Sequence, residues 1–203
     1  MIPEPSDTRT RILDAALELF SEQGFDGTTL QQIADRLGFT KAALYYHFRS
    51  KDDLLHALVG PAVTGLDELL ESHEAMLDTP ARRRRFTEAY LDHVILHRRL
   101  TAYIARDLAV VAHPAFASGR ADRRERVEAL LAGDGLDFHE QVRVAMAFYG
   151  IGRVIAQYPD ADCEELRAAL LDAIRAVLRP SRRHPRVSPR RHLSTETLTD
   201  VPG

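Results

Sequence analysis

Apolar side chains recur every three or four residues along most of this chain, which is the spacing of helices that bury one face. The first such run covers 8–23 and is followed by a glycine, a residue type that often ends helices. A second run starts after Thr29, which can cap a helix, and stops at Gly38. A third follows Thr40 and reaches Phe48. The pattern therefore predicts three helices close together at the N-terminal end.

A longer helix is expected after Ser50, because Ser50 and Asp53 have the spacing of a capping box. Pro61 is expected to kink this helix. No segment shows the convincing alternation of a strand. Five further helices are predicted downstream, over 81–97, 100–111, 114–132, 138–157 and 162–178. The fold class is therefore predicted to be all-α, with about nine helices.

The second and third runs are joined by a tight Leu-Gly-Phe-Thr turn at 37–40. Ala34 is small where the two helices would cross, and Gly38 allows the positive φ that a sharp turn needs. Two short helices joined in this way form a helix-turn-helix. We therefore expect a three-helix, helix-turn-helix domain at the N-terminus and a helical bundle after it.

The third helix carries the most informative surface. Leu44 and Phe48 lie four residues apart and point inward, so the opposite surface shows Lys41, Ala42, Ala43, Tyr45, Tyr46 and His47. Small alanines permit close approach to bases, and tyrosine and lysine side chains donate to phosphates. This surface favours a helix that enters a DNA major groove. The alternative is a helical hairpin whose tyrosines pack against a neighbouring element.

Composition and charge narrow the function classes. The 203 residues carry a net charge of −3, so any nucleic-acid surface must be local. The one cysteine excludes an intramolecular disulfide framework. No secretory signal and no apolar stretch long enough to cross a bilayer is evident, so we expect a cytoplasmic protein without a membrane partner.

Residues from about 9 to 59 resemble the DNA-binding domain of the TetR family of bacterial regulators. The resemblance covers about a quarter of the chain and rests on many positions at family spacings. These positions are Arg11 to Ala16, Phe20, Gly24, Phe25, Thr28, Thr29, Ile33, Ala34, Leu37, Gly38, Leu44 to Phe48 and Lys51 to Leu55.

The resemblance implies a regulator, most simply a repressor, that binds double-stranded operator DNA. It implies operator contacts from Thr29, Gln31, Thr40, Lys41, Ala42, Ala43, Tyr45, Tyr46, His47 and Lys51. Many family members have Gly or Thr where this chain has Ala42 and Ala43, so the operator sequence cannot be transferred from a relative.

The resemblance also implies a homodimer formed by the last two helices. Apolar positions on those helices allow such an interface, and the predicted contact residues are Phe148, Ile151, Ile155, Leu166, Leu170 and Ile174. The alternative is that these faces only complete the core of the single chain.

The family usually holds a small-molecule effector inside the C-terminal helices. The candidate lining residues are Phe86, Tyr90, His93, His97, Tyr103, Arg106, Phe116, Met146, Tyr149 and Arg153. Arg106 and Arg153 are candidates to meet an anionic ligand. The competing interpretation places the aromatic residues in the core and each arginine at the surface or beside an acid.

Other chemistry has little support in the sequence. His93 and His97 are spaced to share a helix face, but no third ligand is evident, so we predict no metal and no cofactor. The sequence shows no arrangement of nucleophile and base that would indicate an enzyme. A helical sensor without DNA binding stays an alternative. The predicted domains are 1–50 for the helix-turn-helix, 51–178 for effector binding and dimerisation, and 179–203 for a basic, disordered tail.

Overall fold

The computed structural model describes residues 5–133 and 136–178. Within those ranges the chain forms eleven helices and no strand, which confirms the predicted all-α class. The helices are α1 (Pro5–Gly27), α2 (Leu30–Leu37), α3 (Lys41–His47), α4 (Lys51–Glu74), α5 (Pro80–Leu96), α6 (Arg98–Ile104), α7 (Leu108–Ala112), α8 (Pro114–Ala117), α9 (Arg120–Ala132), α10 (Phe138–Gln157) and α11 (Cys163–Val177).

Local signals set the ends of α2 and α3. The Thr29 hydroxyl accepts a hydrogen bond from the Gln32 amide at 3.2 Å, and the Gln32 side chain accepts one from the Thr29 amide at 2.7 Å. This reciprocal pair satisfies N–H groups that have no partner within the helix. Gly38 ends α2 with φ of 68°, and the Thr40 side chain then accepts from the Ala43 amide to begin α3. The predicted turn is therefore confirmed.

The N-terminal head, which we define as residues 5–50, is packed around one apolar cluster. Ile12, Ile33 and Leu44 are fully buried, one from each helix of the head. The same cluster also includes Leu100, Tyr103 and Val110 from α6 and α7. The head therefore shares its core with helices that lie far from it in sequence.

A second apolar cluster fills the C-terminal bundle. It joins the end of α4 to α5, α9, α10 and α11. Its most enclosed side chains are Leu70, Phe86, Leu91 and Ile155. Burial of such side chains stabilises the fold by about 1.5–3 kcal/mol each.

Helix α4 belongs to both clusters. Leu54, Leu55 and Val59 lie in the first cluster, and Leu70 lies in the second. The helix is continuous through Pro61, and the predicted Ser50–Asp53 capping box is present at its start. A displacement of α4 would therefore move the head relative to the bundle.

Two predicted helices are each divided in the structure. The expected helix over 100–111 becomes α6 and α7, because the Asp107 side chain accepts from the Ala109 and Val110 amides and starts a new helix. The expected helix over 114–132 becomes α8 and α9, since Gly119 adopts φ of 68° between them. The number of helices predicted from the sequence was therefore too low.

One further sequence prediction concerns residues outside this description. The basic tail predicted at 179–203 lies outside the described ranges. Among the helices that are described, none combines the length and apolarity needed to cross a lipid bilayer.

The turn of the head provides a test of the local account. At Gly38 the backbone is left-handed, so Gly38→Ala is expected to lower the unfolding free energy by about 1–2 kcal/mol. Gly60→Ala is the matched control, because Gly60 is inside α4 with open space around it and alanine favours a helix by about 1 kcal/mol. Urea unfolding should show opposite signs for the two variants. A neutral Gly38→Ala would contradict the assigned turn.

Candidate nucleic-acid interface

Among the described residues, the outer face of α3 is exposed. Leu44 is fully buried beneath the helix, whereas Tyr45 and Tyr46 are 42% and 85% exposed. Thr40, Lys41, Ala42 and Ala43 are exposed as well. The expected surface of small and hydrogen-bonding side chains is therefore present, and the tyrosines do not pack in the core. This finding disfavours the hairpin alternative.

Aromatic and cationic groups order this face. The Lys41 ammonium lies 5.6 Å from the centre of the Tyr45 ring, and the Tyr46 and His47 rings meet edge to face at 5.2 Å. Cation–π contacts of this kind hold a lysine near a ring without removing its charge. Lys41 and Tyr45 are therefore oriented together at the surface.

Three arginines that the sequence analysis did not select lie around α3. The Arg9 guanidinium sits 4.2 Å from the Phe48 ring centre and donates to the His47 carbonyl at 3.4 Å. Arg11 lies 5.3 Å from the centre of the Phe39 ring, and Arg49 is exposed just before α4. Only the tertiary fold brings the start of α1 beside the end of α3, so spacing along the sequence carried no signal for Arg9 and Arg11.

Other polar residues of the head already have partners. The Gln31 amide donates to Asp35 at 2.7 Å, which holds an exposed side chain on α2. Arg36 pairs with Glu22 at 2.9 Å and more distantly with Glu18, and these carboxylates raise the pKa of Arg36. Arg36 therefore pairs with acids of α1 and is not part of the α3 surface.

Lys51 differs from the sequence expectation. Its ammonium donates to the Phe25 carbonyl at 2.5 Å, lies 3.5 Å from the Asp26 carbonyl and sits 4.2 Å from the Phe25 ring centre. The side chain thus fastens the start of α4 to the end of α1. The predicted contact of Lys51 with a phosphate stays a prediction, because its ammonium is engaged within the head.

Asp107 attaches the head to the bundle. One carboxylate oxygen accepts from the Phe25 amide at 2.9 Å and from the Tyr103 hydroxyl at 3.0 Å. The other oxygen accepts from the amides of Ala109 and Val110. A single side chain therefore joins the end of α1, the end of α6 and the start of α7.

Electrostatics and packing support this attachment. Burial raises the pKa of the Asp107 carboxyl, but the hydrogen bonds it accepts outweigh that effect and leave its pKa below the ordinary value. The Tyr103 ring stacks on Phe20 at 6.0 Å between centroids. His113 lies 3.2 Å from Asp52 and meets the Phe25 ring edge to face. Tyr103 was predicted to line an effector pocket, and that placement is wrong, since the residue belongs to the core of the head.

A cavity of about 420 Å³ lies among α4, α5, α6, α9 and α10. This size falls in the range of small-molecule sites. Five of the predicted lining residues meet there, namely Tyr90, His93, His97, Tyr149 and Arg153. The α4 wall is formed by Val59, Ala62, Val63 and Leu66. The helix that carries the head therefore also lines the cavity.

The other predicted lining residues lie elsewhere. Phe86 is fully buried in the second cluster, and Met146 is 64% exposed on α10. Arg106 donates to the Ala156 carbonyl. It therefore does not pair with any described acid, as the competing interpretation expected it to, and it does not line the cavity. The side chain of Phe116 lies outside the description. Helical spacing placed Phe86 and Met146 on helices that line the cavity but did not determine which face meets it.

The two histidines are neighbours, as their spacing predicted. Their ring centroids are 4.9 Å apart. Burial lowers the pKa of both rings, and the charge of His97 lowers that of His93 further. Both imidazoles are therefore neutral at physiological pH. Among the described residues no group of three potential metal ligands occurs.

The predicted dimer contacts need correction. Ile151, Ile155, Leu166, Leu170 and Ile174 are 2–5% exposed and pack in the second cluster, while Phe148 is partly buried against it. These side chains complete the core of the single chain, which was the alternative interpretation. The exposed apolar residues Phe138, Val142 and Met146 lie on the opposite side of α10, and we call them the outer stripe; Tyr149 continues this row but lines the cavity.

Comparisons with known proteins agree with this architecture. A family model described as "Bacterial regulatory proteins, tetR family" matches residues 12–58. The HTH-type transcriptional regulator AcrR of Shigella flexneri is 40% identical over 72 residues, which are 36% of this chain and 34% of AcrR. The icaADBC negative regulator IcaR of Staphylococcus epidermidis is 39% identical over 67 residues, 32% of this chain and 36% of IcaR. The match thus spans about a third of these curated relatives.

Similarity in structure extends further along the chain. The crystal structure of Mycobacterium smegmatis AmtR aligns with a TM-score of 0.65 and 27% identity, over 87% of this chain and 88% of AmtR. An exposed helix on a three-helix head, joined to a bundle with a cavity, is a helix-turn-helix architecture. The family model, the curated relatives and the AmtR structure all support a TetR-family regulator.

Asp107→Asn tests the attachment of the head. Because the folded-state pKa is depressed, the ionised carboxylate adds stability above its ordinary pKa of 3.8, and this contribution is lost as the pH falls through the folded-state value. We expect the variant to lose roughly 1–3 kcal/mol of unfolding free energy at neutral pH. The difference from the wild type should shrink at about pH 3.

Urea unfolding of both proteins at the two pH values measures this effect. Asp160→Asn is the control, because Asp160 is exposed in the turn before α11. An equal deficit for Asp107→Asn at both pH values would show that the carboxylate charge does not hold the head in place.

Proposed function

We propose that this chain is a sequence-specific transcriptional repressor that binds operator DNA as a homodimer in the cytoplasm and is released by a small-molecule effector. The observation that carries the proposal is the outer face of α3, where Lys41, Ala42, Ala43, Tyr45 and Tyr46 are exposed above a fully buried Leu44. The face is too apolar for a simple solvated surface and too polar for a core. It fits a helix seated in the major groove.

Different residues on the outer face of α3 would make different contacts with DNA. Ala42 and Ala43 allow the helix to approach base edges closely and to contact thymine methyl groups. Tyr45 and Lys41 lie beside them within reach of bases or phosphates. Thr40, Tyr46 and His47 flank the helix and bond the phosphate backbone, which sets orientation more than sequence.

Phosphate contacts from the rest of the head complete this surface. Thr29 and Gln31 are exposed at the start of α2, and Arg9 and Arg49 add positive charge near the end of α3. Each neutralised phosphate releases counterions, so these contacts make binding sensitive to salt. Negative charge on α1 is partly balanced, because Asp14, Glu18 and Glu22 pair with Arg36 and Arg99.

The outer stripe of α10 supports a dimer. Exposed apolar residues in one row are costly on a free surface and mark contacts between proteins. Beside the stripe, α11 exposes the small residues Ala169, Ala173 and Ala176, which leave room for side chains of a second copy. Four helices, two from each chain, would cover both surfaces. Two recognition helices would then meet major grooves about 34–36 Å apart.

The cavity supports effector control through two connections. Val59 and Leu66 of α4 line it, and α4 begins directly after the head. Leu100 and Ile104 of α6 line it too, and α6 leads into Asp107, which holds the Phe25 amide. A ligand that favours another spacing of these helices would favour the conformation that fits DNA poorly.

Repression is the simplest mode of regulation for this chain. Occupancy of an operator that overlaps a promoter excludes polymerase by volume alone, and it requires no turnover by the protein. The related IcaR is named a negative transcriptional regulator. An activator would require an additional surface for polymerase.

Tyr45→Ala tests the recognition helix. Loss of this side chain should weaken binding to a selected operator about tenfold, which corresponds to about 1.4 kcal/mol. Helicity should not change, because the Tyr45 side chain is outside the core. Fluorescence anisotropy at several salt concentrations measures the affinity, and circular dichroism measures the helicity.

Tyr158→Ala is the matched control, since Tyr158 is an exposed tyrosine at the end of α10, outside the helix-turn-helix. It should bind the operator as the wild type does. If Tyr45→Ala also keeps full affinity, α3 is not the recognition helix.

Met146→Asp tests the dimer surface. A carboxylate in the middle of the outer stripe would lose its hydration in the interface without a partner, so the variant should be a monomer. Leu77→Asp is the control, because Leu77 is 87% exposed in the turn after α4. Light scattering after size-exclusion chromatography should give the mass of two chains for the wild type and the control. A dimeric Met146→Asp would place the interface elsewhere.

A further inference from the structure

The cavity wall has an uneven distribution of charge. Four arginines line it, Arg120, Arg123, Arg124 and Arg153, and none of the described lining residues is Asp or Glu. The two histidines in the wall are neutral at physiological pH because burial lowers the pKa of each. The charged side chains that reach the cavity are therefore all positive.

The charges of two of these arginines are balanced by carboxylates that lie outside the cavity wall. Arg123 donates two hydrogen bonds to Asp67, at 2.7 and 2.8 Å, and the carboxylate raises the pKa of Arg123. Arg124 donates to Glu128 at 3.0 Å. These ion pairs hold both arginine side chains in place and largely balance their positive charge.

Arg153 is different. It donates to the Ala105 carbonyl at 3.2 Å, and it forms no ion pair with any described residue. A carbonyl orients the guanidinium but does not cancel its charge. Arg153 is exposed at the edge of the cavity, beside Tyr149 and Gly152 on α10. The guanidinium therefore leaves a positive charge at the rim, with donors still available for a planar anion.

The interior of the cavity is apolar. Nine valine, leucine and isoleucine side chains, from α4, α5, α6, α7, α9 and α10, line it. The Tyr90 and Phe148 rings stack at 6.2 Å along one side. This wall can therefore bury and desolvate an apolar ligand body.

We propose that the effector is an amphipathic monoanion, an apolar body that fills the cavity and a carboxylate that pairs with Arg153 at its rim. This inference rests on the proposed effector-controlled function and names the chemical class that acts there. A cationic amphiphile of the same shape would meet the arginines and be rejected. A neutral analogue would bury the same surface and lose only the pair with Arg153.

Three probes with the same ten-carbon chain separate these cases: decanoate, 1-decanol and decyltrimethylammonium. Isothermal titration calorimetry on the full-length wild-type protein gives each affinity without using operator DNA. Decanoate should bind about tenfold more tightly than decanol, as expected for one charge-assisted hydrogen-bonded pair. Decyltrimethylammonium should show no binding.

Variants of the arginine locate the head group. Arg153→Gln should weaken decanoate binding about tenfold and leave decanol binding unchanged. Arg153→Lys keeps the charge and should keep part of the preference for decanoate. Arg85→Gln is the matched control, because Arg85 is an exposed arginine on α5 outside the cavity wall, and it should bind all probes as the wild type does.

The results distinguish this inference from the regulator proposal. Equal binding of decanoate and decanol, no binding of either, or an unaffected Arg153→Gln would overturn the anionic class. Operator affinity is measured separately by anisotropy. A protein that binds its operator but not decanoate contradicts the ligand class alone, and one that binds decanoate but no duplex contradicts the regulator alone.

Discussion

The carboxylate of Asp107 holds the N-terminal head against the bundle. It accepts hydrogen bonds from the Phe25 amide in the head, from Tyr103 on α6 and from the first amides of α7. Four donors on one carboxylate satisfy polar groups that would be costly to leave without partners at an apolar junction. The stacking of Tyr103 on Phe20 and the Lys51 contacts with the Phe25 and Asp26 carbonyls surround this point. The orientation of α3 depends on this junction, because α3 is fixed to the rest of the head by shared core residues.

The same junction connects recognition with the cavity. Helix α6 lines the cavity and ends at the Tyr103–Asp107 contact, while α4 lines it and begins at the head. A ligand in this cavity would therefore touch both helices that set the position of α3. Coupling between two sites requires that the ligand distinguish two arrangements of such elements.

The sequence predicted most of the head and only part of the bundle. Helix ends in the head are set by neighbours within four residues, such as Thr29 with Gln32 and the turn at Gly38, so a linear reading captures them. The Asp107 carboxylate that starts α7 also accepts from the Phe25 amide, 82 positions away, and no local pattern indicates that contact. The faces of α10 were assigned wrongly for a similar reason. Both of its sides are apolar, and only packing decides that Ile151 is core and Met146 is surface. The cavity residues that were found, such as His93 and His97, share a helix face.

The central claim is that the exposed face of α3 reads a specific DNA sequence as part of a symmetric pair. Selection of bound fragments from a random duplex pool, followed by sequencing, tests that claim most directly. The account predicts enrichment of a near-palindrome whose half-sites lie about one helical turn apart, near 34–36 Å between centres. A folded, dimeric protein that enriches no sequence would contradict it, and the cavity would then belong to a helical sensor that does not act on DNA.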